Sequence, residues 1–121
     1  MKLIKLSLDG SVELISCKRK FDRPYYKEMI ADCLKDTIFE DLKIVYDDAR
    51  YGKGYEDFYN KNAELISPFS LSKFDCHIFV GNCYLIKTRL FKYKNGLIGN
   101  REISCTKEDF EMVKNFLDNN K

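Results

Sequence analysis

The longest run dominated by apolar residues is 74–87, where Ile78, Phe79 and Val80 and then Tyr84, Leu85 and Ile86 stand together. β-Branched and aromatic residues suit a pleated, buried surface. A strand this apolar has to be covered on both faces, so the run predicts the central strand of a sheet. Gly81-Asn82 interrupts it and allows two arrangements. In one, the pair is a two-residue hairpin turn that sets Val80 opposite Cys83 and Phe79 opposite Tyr84. In the other, the strand continues and Gly81 marks a bulge or a close backbone approach.

The remaining segments sort by period. Residues 2–8 alternate loosely and reach Asp9-Gly10, after which 11–18 alternate again. Asp-Gly suits a type I′ turn, so a β-hairpin is expected here. Asp22-Arg23-Pro24 has the chemistry of a helix start. From there Tyr26, Ile30, Cys33, Leu34, Thr37 and Ile38 recur every three or four residues and predict an amphipathic helix over 24–39. Its outer face would carry Glu28, Asp32 and Asp36, an acidic ridge that like-charge repulsion disfavours slightly. Residues 42–46 read as a strand and 63–66 as a second, short one, with a helical turn near 57–60. Residues 88–93 continue the central strand, Lys94-Asn95-Gly96 is a hairpin turn, and short strand segments follow up to Ser104. Thr106 and Asp109 form a capping box for a last helix, 107–118, with Phe110, Val113, Phe116 and Leu117 on its buried stripe. These elements predict a single α+β domain over 1–121: a twisted, mainly antiparallel sheet of five or six strands with two amphipathic helices.

Composition narrows the classes of function. Hydrophobic residues make up 45% of the 121 and charged residues 33%, a balance that suits one folded core. With 21 basic and 19 acidic residues the net charge is +2, too little for a protein that coats nucleic acid, though not for a local basic patch. The basic cluster Lys18, Arg19, Lys20 and Arg23 reads either as a solvated strand end or as a contact for phosphate or an acidic partner. Five cysteines (Cys17, Cys33, Cys76, Cys83, Cys105) include no C-x-x-C spacing, which argues against a zinc knuckle and for buried free thiols. With no apolar leader core and no stretch able to span a bilayer, a reducing cytoplasm is the expected setting.

Candidate chemistry is sparse. His77 is the one histidine; its neighbour Cys76 points to the opposite face of a strand, and Cys83 lies about 20 Å along it. No Cys–His nucleophile is expected from that spacing. Asp47-Asp48 and Glu56-Asp57 invite a metal, but Ala49 and Arg50 stand where a calcium loop needs ligands. Gly52-x-Gly54 alone is no phosphate loop. No catalytic residues, metal or cofactor are therefore assigned, which points away from an enzyme. The constellation that stands out is aromatic and basic: Arg50, Tyr51, Lys53, Tyr55, Tyr59 and Lys61, in the long segment 47–62. Tyrosine and arginine are common interface anchors, and tyrosine rings stack on bases. These six are the expected partner-binding residues, with the acidic ridge as the second choice of surface.

Ile44-Val45-Tyr46-Asp47-Asp48, Asn62, Phe74-Asp75, the run from Ile78 through Gly81 to Ile86, and Ser104 to Asp109 occur in an order that resembles a family of small proteins. These are encoded by phages, plasmids and conjugative elements of bacteria and form a domain of unknown function. The resemblance covers roughly 24–117; the Leu-Pro-x-Asn element of the family is replaced here by Phe58-Tyr59-Asn60-Lys61-Asn62. It implies a continuous strand interrupted by Gly81 rather than a hairpin. It also implies a phage or mobile-element interaction protein, cytoplasmic in the bacterial host, that binds and blocks a host protein; an anti-defence inhibitor, for example of a CRISPR nuclease, is one form of that role. The alternative is a small-ligand or nucleotide-binding module using 47–62, with nucleic acid as its other partner class. The membrane is not an expected partner, and the oligomeric state is open.

Overall fold

A computed structural model of the chain describes residues 1–18, 22–49, 58–68 and 78–120. Its elements are β1 (Lys2–Leu6), β2 (Val12–Ser16), α1 (Tyr25–Glu28), β3 (Asp32–Asp36), β4 (Leu42–Asp47), α2 (Lys61–Ile66), β5 (Cys83–Lys92), β6 (Ile98–Ile103) and α3 (Lys107–Asn119). All six strands join one antiparallel sheet in the order β2-β1-β5-β4-β3, with β6 also paired to β5. The α+β fold and the six-strand sheet agree with the sequence reading.

β5 is the central strand that the apolar run demanded. Cys83, Tyr84, Leu85 and Ile86 are all buried, and their alternation feeds two separate cores. Cys83 and Leu85 join Ile4, Leu6, Ile44 and Tyr46 under α2 and α3, which contribute Ala63, Ile66, Val113 and Leu117. Tyr84 and Ile86 join Leu3, Cys17 and Val45 on the other face, against Tyr25 of α1. At its start, α3 carries the expected capping box: Thr106 Oγ1 accepts from Asp109 N–H, and Asp109 accepts from the backbone N–H of Thr106.

The expected helix over 24–39 does not form. Its first turn is α1, but Met29 is extended and 32–36 become β3, an edge strand paired with β4 in the register Asp32↔Asp47 to Asp36↔Lys43. The physical competitor is Asp47. Its buried carboxylate accepts the N–H groups of Ile30 and Ala31, which a helix would have given to carbonyls one turn back, and Ala31 C=O accepts from Asp48 N–H. The helical stripe accordingly stays out: Tyr26, Ile30, Leu34 and Ile38 are exposed. The acidic ridge dissolves with it, since Glu28 ends α1 while Asp32 and Asp36 lie on β3. Asp22 does not cap, because the helix begins after Pro24 with no side-chain cap.

The short strand expected over 63–66 is instead the end of α2. Asn60 is its N-cap, accepting from Ala63 N–H. Both tight hairpins are present; the Asp9-Gly10 loop is not the expected two-residue turn, while 94–96 is the expected three-residue one. Gly10 N–H donates to Ser7 C=O and Gly96 N–H to Tyr93 C=O, so each loop has three residues with glycine last, at φ 95° and 85°. The preceding Asp9 and Asn95 close each loop by accepting from the N–H of Ser11 and Leu97.

Gly81 fits neither arrangement in full. Val80 bridges to Tyr59 rather than to Cys83, so there is no hairpin at Gly81-Asn82. The strand is also not continuous: β5 begins at Cys83, after Gly81 at φ 76°. Nothing lies within 4 Å of where a Cβ would stand, so the backbone conformation and not a close approach requires glycine. Replacing Gly81 with Val is expected to lower stability by about 2 kcal/mol through backbone strain, and Gly81→Asn by less, because asparagine tolerates this region. Denaturant midpoints of the two variants measure the difference.

Candidate functional site

The described residues hold three places where chemistry could gather: the asparagine-rich end of the sheet, the acidic and thiol groups, and the far end of β5. At the asparagine-rich end, the buried Asn60 donates through Nδ2 to Leu6 C=O and Gly81 C=O, both at 2.9 Å. Asn62 Nδ2 donates to Gly10 C=O, and Asn82 Oδ1 accepts from Leu8 N–H. These side chains replace backbone partners that the β1–β2 loop and the entry to β5 lack. Tyr59 and Lys61 sit here. Tyr59 is half-buried, its segment fixed by Asn60 N–H to Phe79 C=O and Gly81 N–H to Phe58 C=O; Lys61 is exposed at the start of α2. Arg50, Tyr51, Lys53 and Tyr55 lie outside the described residues, as do Cys76 and His77. Of the six expected binding residues the structure thus describes two, on a pinned segment.

The acids and thiols have structural work. Asp47 adds Ala49 N–H to the two amides it already accepts, leaving its carboxylate committed to backbone. Among the described residues no group of three or more His, Cys, Asp or Glu is arranged to hold a metal. Cys17, Cys33, Cys83 and Cys105 are free thiols. Burial pushes the Cys105 thiol up to about 12 and raises Cys83 as well, which removes both as nucleophiles at neutral pH.

The far end of β5 is different. β4 pairs with β5 only as far as Leu42↔Lys87, with one further bond from Thr88 N–H to Asp41 C=O. On the opposite edge β1 covers Cys83 to Leu85, and β6 takes over from Lys87 to Lys92. β6 is therefore the in-line continuation of β1, and the two are joined where Cys105 N–H donates to Lys2 C=O and Lys2 N–H to Ser104 Oγ. Among the described residues the sheet is reduced beyond residue 88 to two strands, an arm closed by the 94–96 turn.

Two ion pairs clamp the root of this arm, one from each face. Lys87 Nζ reaches both carboxylate oxygens of Asp109 on α3, at 3.0 and 3.2 Å. From the other face Glu102 of β6 takes Arg23, whose side chain is wholly buried. Arg23 was expected among solvated or phosphate-binding cations; its partner is a carboxylate inside the protein. Its Nε and Nη1 have no hydrogen-bond partner among the described residues, so Glu102 is what makes this burial tolerable. Burial works against the Asp109 carboxylate, but Thr106 and Lys87 outweigh it and hold its pKa below the usual carboxylate value.

Past the clamps both faces of the arm are open. On the α3 side Arg89 stands directly opposite Arg101, followed outward by Phe91 and Tyr93. Arg101 Cζ lies 5.6 Å from the Phe91 ring centre, and the Phe91 and Tyr93 rings meet edge to face at 5.0 Å. Tyr93 lies across Gly99, where a Cβ would come within 3.0 Å of its ring. The α1 side carries Leu90 and Ile98, 73% and 69% exposed, with Leu97 at the tip also exposed. The sequence gives this hairpin as a secondary-structure element but does not mark it as a site. Its signal lies in Arg89, Phe91 and Tyr93 at alternate positions, in a stretch (88–101) with four basic residues and no acidic one.

No helix among the described residues is long and apolar enough to cross a membrane. Compared with protein-family models, with curated proteins and with solved structures, the chain gives no match.

Two outcomes test the clamps. Glu102→Ala strands a buried guanidinium and is expected to cost about 3 kcal/mol, measured by denaturant unfolding. Asp109 has a depressed folded pKa, so its stabilisation is complete above the unfolded value near 3.9 and is lost as pH falls through the lower, folded value. Asp109→Asn should therefore melt below the wild type at pH 7, with the gap closing as the solution is acidified below pH of about 4.

Proposed function

We propose that this chain is a binding protein whose contact element is the β5–β6 arm, and that it serves as a small mobile-element protein that occupies and blocks a host factor. The observation that supports the arm is its exposed apolar and aromatic side chains, held beyond the last helix of either face. A two-stranded ribbon is marginal by itself. An apolar cluster left in water costs stability and solubility unless a partner covers it. Leu90, Ile98, Leu97, Phe91 and Tyr93 are each more than 40% exposed, and together they supply the aromatic and aliphatic anchors that dominate interface energetics. The partly buried ion pairs at the root fix the angle of the arm before any partner arrives, which reduces the entropy lost on binding.

The setting comes from the resemblance of residues 24–117 to mobile-element proteins. Within it, an anti-defence inhibitor is the form of the role that suits a 121-residue chain with no assigned catalytic group. Such a protein works by occupancy alone: it needs a stable scaffold and one adhesive element.

Affinity capture from host extract, with the tagged chain and two variants, tests this. Leu90→Ser combined with Phe91→Ala changes exposed positions, so the melting temperature should stay within a few degrees while the captured partner is lost. Arg50→Ala combined with Tyr55→Ala should leave capture unchanged. The reverse pattern, with capture lost only in the second variant, would transfer the function to 47–62.

A further inference from the structure

Resting on the reading of the arm as the contact element, we infer that its α3-side face, built from Arg89, Arg101, Phe91 and Tyr93, binds single-stranded nucleic acid. Charge supports this first. Arg89, Lys92, Lys94 and Arg101 place four cations in residues 88–101 with no acid, in a chain whose net charge is +2; the remainder of the chain is net negative. The net positive charge of this protein is therefore carried by the arm, and the complement is an anion of extended form.

The pairing of Arg89 with Arg101 supports it second. The two are register partners on adjacent strands, so their side chains leave the same face side by side. Like charges in that position destabilise a sheet. Neither makes a salt bridge among the described residues, whereas the other arm-root charges, Lys87 and Glu102, are both neutralised by Asp109 and Arg23. An anion placed between the two guanidiniums removes the repulsion, and guanidinium suits the oxygens of a phosphate.

The rings distinguish a nucleic acid from an acidic protein surface. Phe91 and Tyr93 follow the arginine pair outward, their rings 5.0 Å apart and edge to face, so together they form one aromatic platform beside the cations. Arg101 lies over the Phe91 ring with its Cζ 5.6 Å from the centre, and Tyr93, half exposed, presents a phenol ring. Bases stack on such surfaces whatever their sequence, while phosphates meet the cations. A carboxylate-rich segment would pair with the cations but offers no flat surface to stack on the rings. Double-stranded DNA offers its phosphates, but its bases are already stacked on one another; a β-ribbon in its major groove would need side chains that read base edges, and aromatic rings do this poorly. No contact on this face depends on a 2′-hydroxyl, so DNA and RNA strands should bind alike.

The test is fluorescence anisotropy with the nuclease-treated, full-length chain and labelled decamers of single-stranded DNA, single-stranded RNA and duplex DNA. The single strands are expected to bind at least about tenfold more tightly than the duplex. Tyr93→Ala should weaken them by about tenfold, with an unchanged melting temperature. Arg89→Gln should flatten the dependence of log K on log salt by about 0.7, the contribution of one phosphate contact. Duplex binding equal to or tighter than single-strand binding overturns the inference, as does polyglutamate competing as well as unlabelled single strand, which would make an acidic protein the partner. Absence of binding to every decamer overturns it too. In that case capture of a host protein that survives nuclease treatment and still requires Leu90 and Phe91 would leave the arm as the contact element, and loss of that capture as well would remove both readings.

Discussion

A strand has two edges, and in this protein the two edges of β5 are covered to different lengths. β4 stops at Lys87, while on the other side β1 hands over to β6, which continues to Lys92. The first half of β5 is thus inside a five-strand sheet with a core on each face, and the second half belongs to a two-strand ribbon. Everything else adapts to that difference. The helices cover the five-strand part; α3 and the segment leading into α1 each send one charged side chain to the point where the sheet narrows. The pair of the buried Arg23 with the partly exposed Glu102 stabilises mainly in the sense that Glu102 cannot be lost alone. Its value is geometric: it ties β6 to the segment before α1 and sets where the arm leaves the body.

The extent to which the sequence announces this fold depends on how local each determinant is. The capping box of α3, the Gly10 and Gly96 loops and the apolar run of β5 each rest on residues within a few positions of one another, and each was legible. The segment 24–39 was misread because its fate is decided from elsewhere. A 3.6-residue period is present in Tyr26, Ile30, Leu34 and Ile38, but Asp47, far along the chain, claims the amide groups of Ile30 and Ala31, and β4 needs an edge partner. The three-to-four-residue spacing cannot tell which competitor wins. Residues 63–66 failed on a smaller scale, since the capping role of Asn60 is visible only once its other bonds, to Leu6 and Gly81, are known.

The candidate site was less legible than the fold. In the sequence the aromatic and basic residues of 47–62, where glycine and tyrosine crowd together, stand out more than those of an ordinary strand-turn-strand. Sequence composition draws attention to loops, yet whether Phe91 or Leu90 is a core residue or an exposed one depends on where the neighbouring strands end. The same alternation in the first half of β5, with Tyr84 and Leu85, is buried on both faces. One strand therefore carries a core half and an exposed half with similar residues, separated by the reach of β4.

That division along β5 can be measured directly by native-state amide hydrogen exchange resolved by residue. The account predicts that the amides of Tyr84 to Ile86 exchange only through global unfolding, with a denaturant dependence equal to that of the whole molecule, while those paired between Arg89–Lys92 and Ile98–Arg101 open locally at a much smaller free energy. Equal protection along the whole of β5, at the global value, would show that the second half is part of the same cooperative core and would contradict the description of it as a projecting arm.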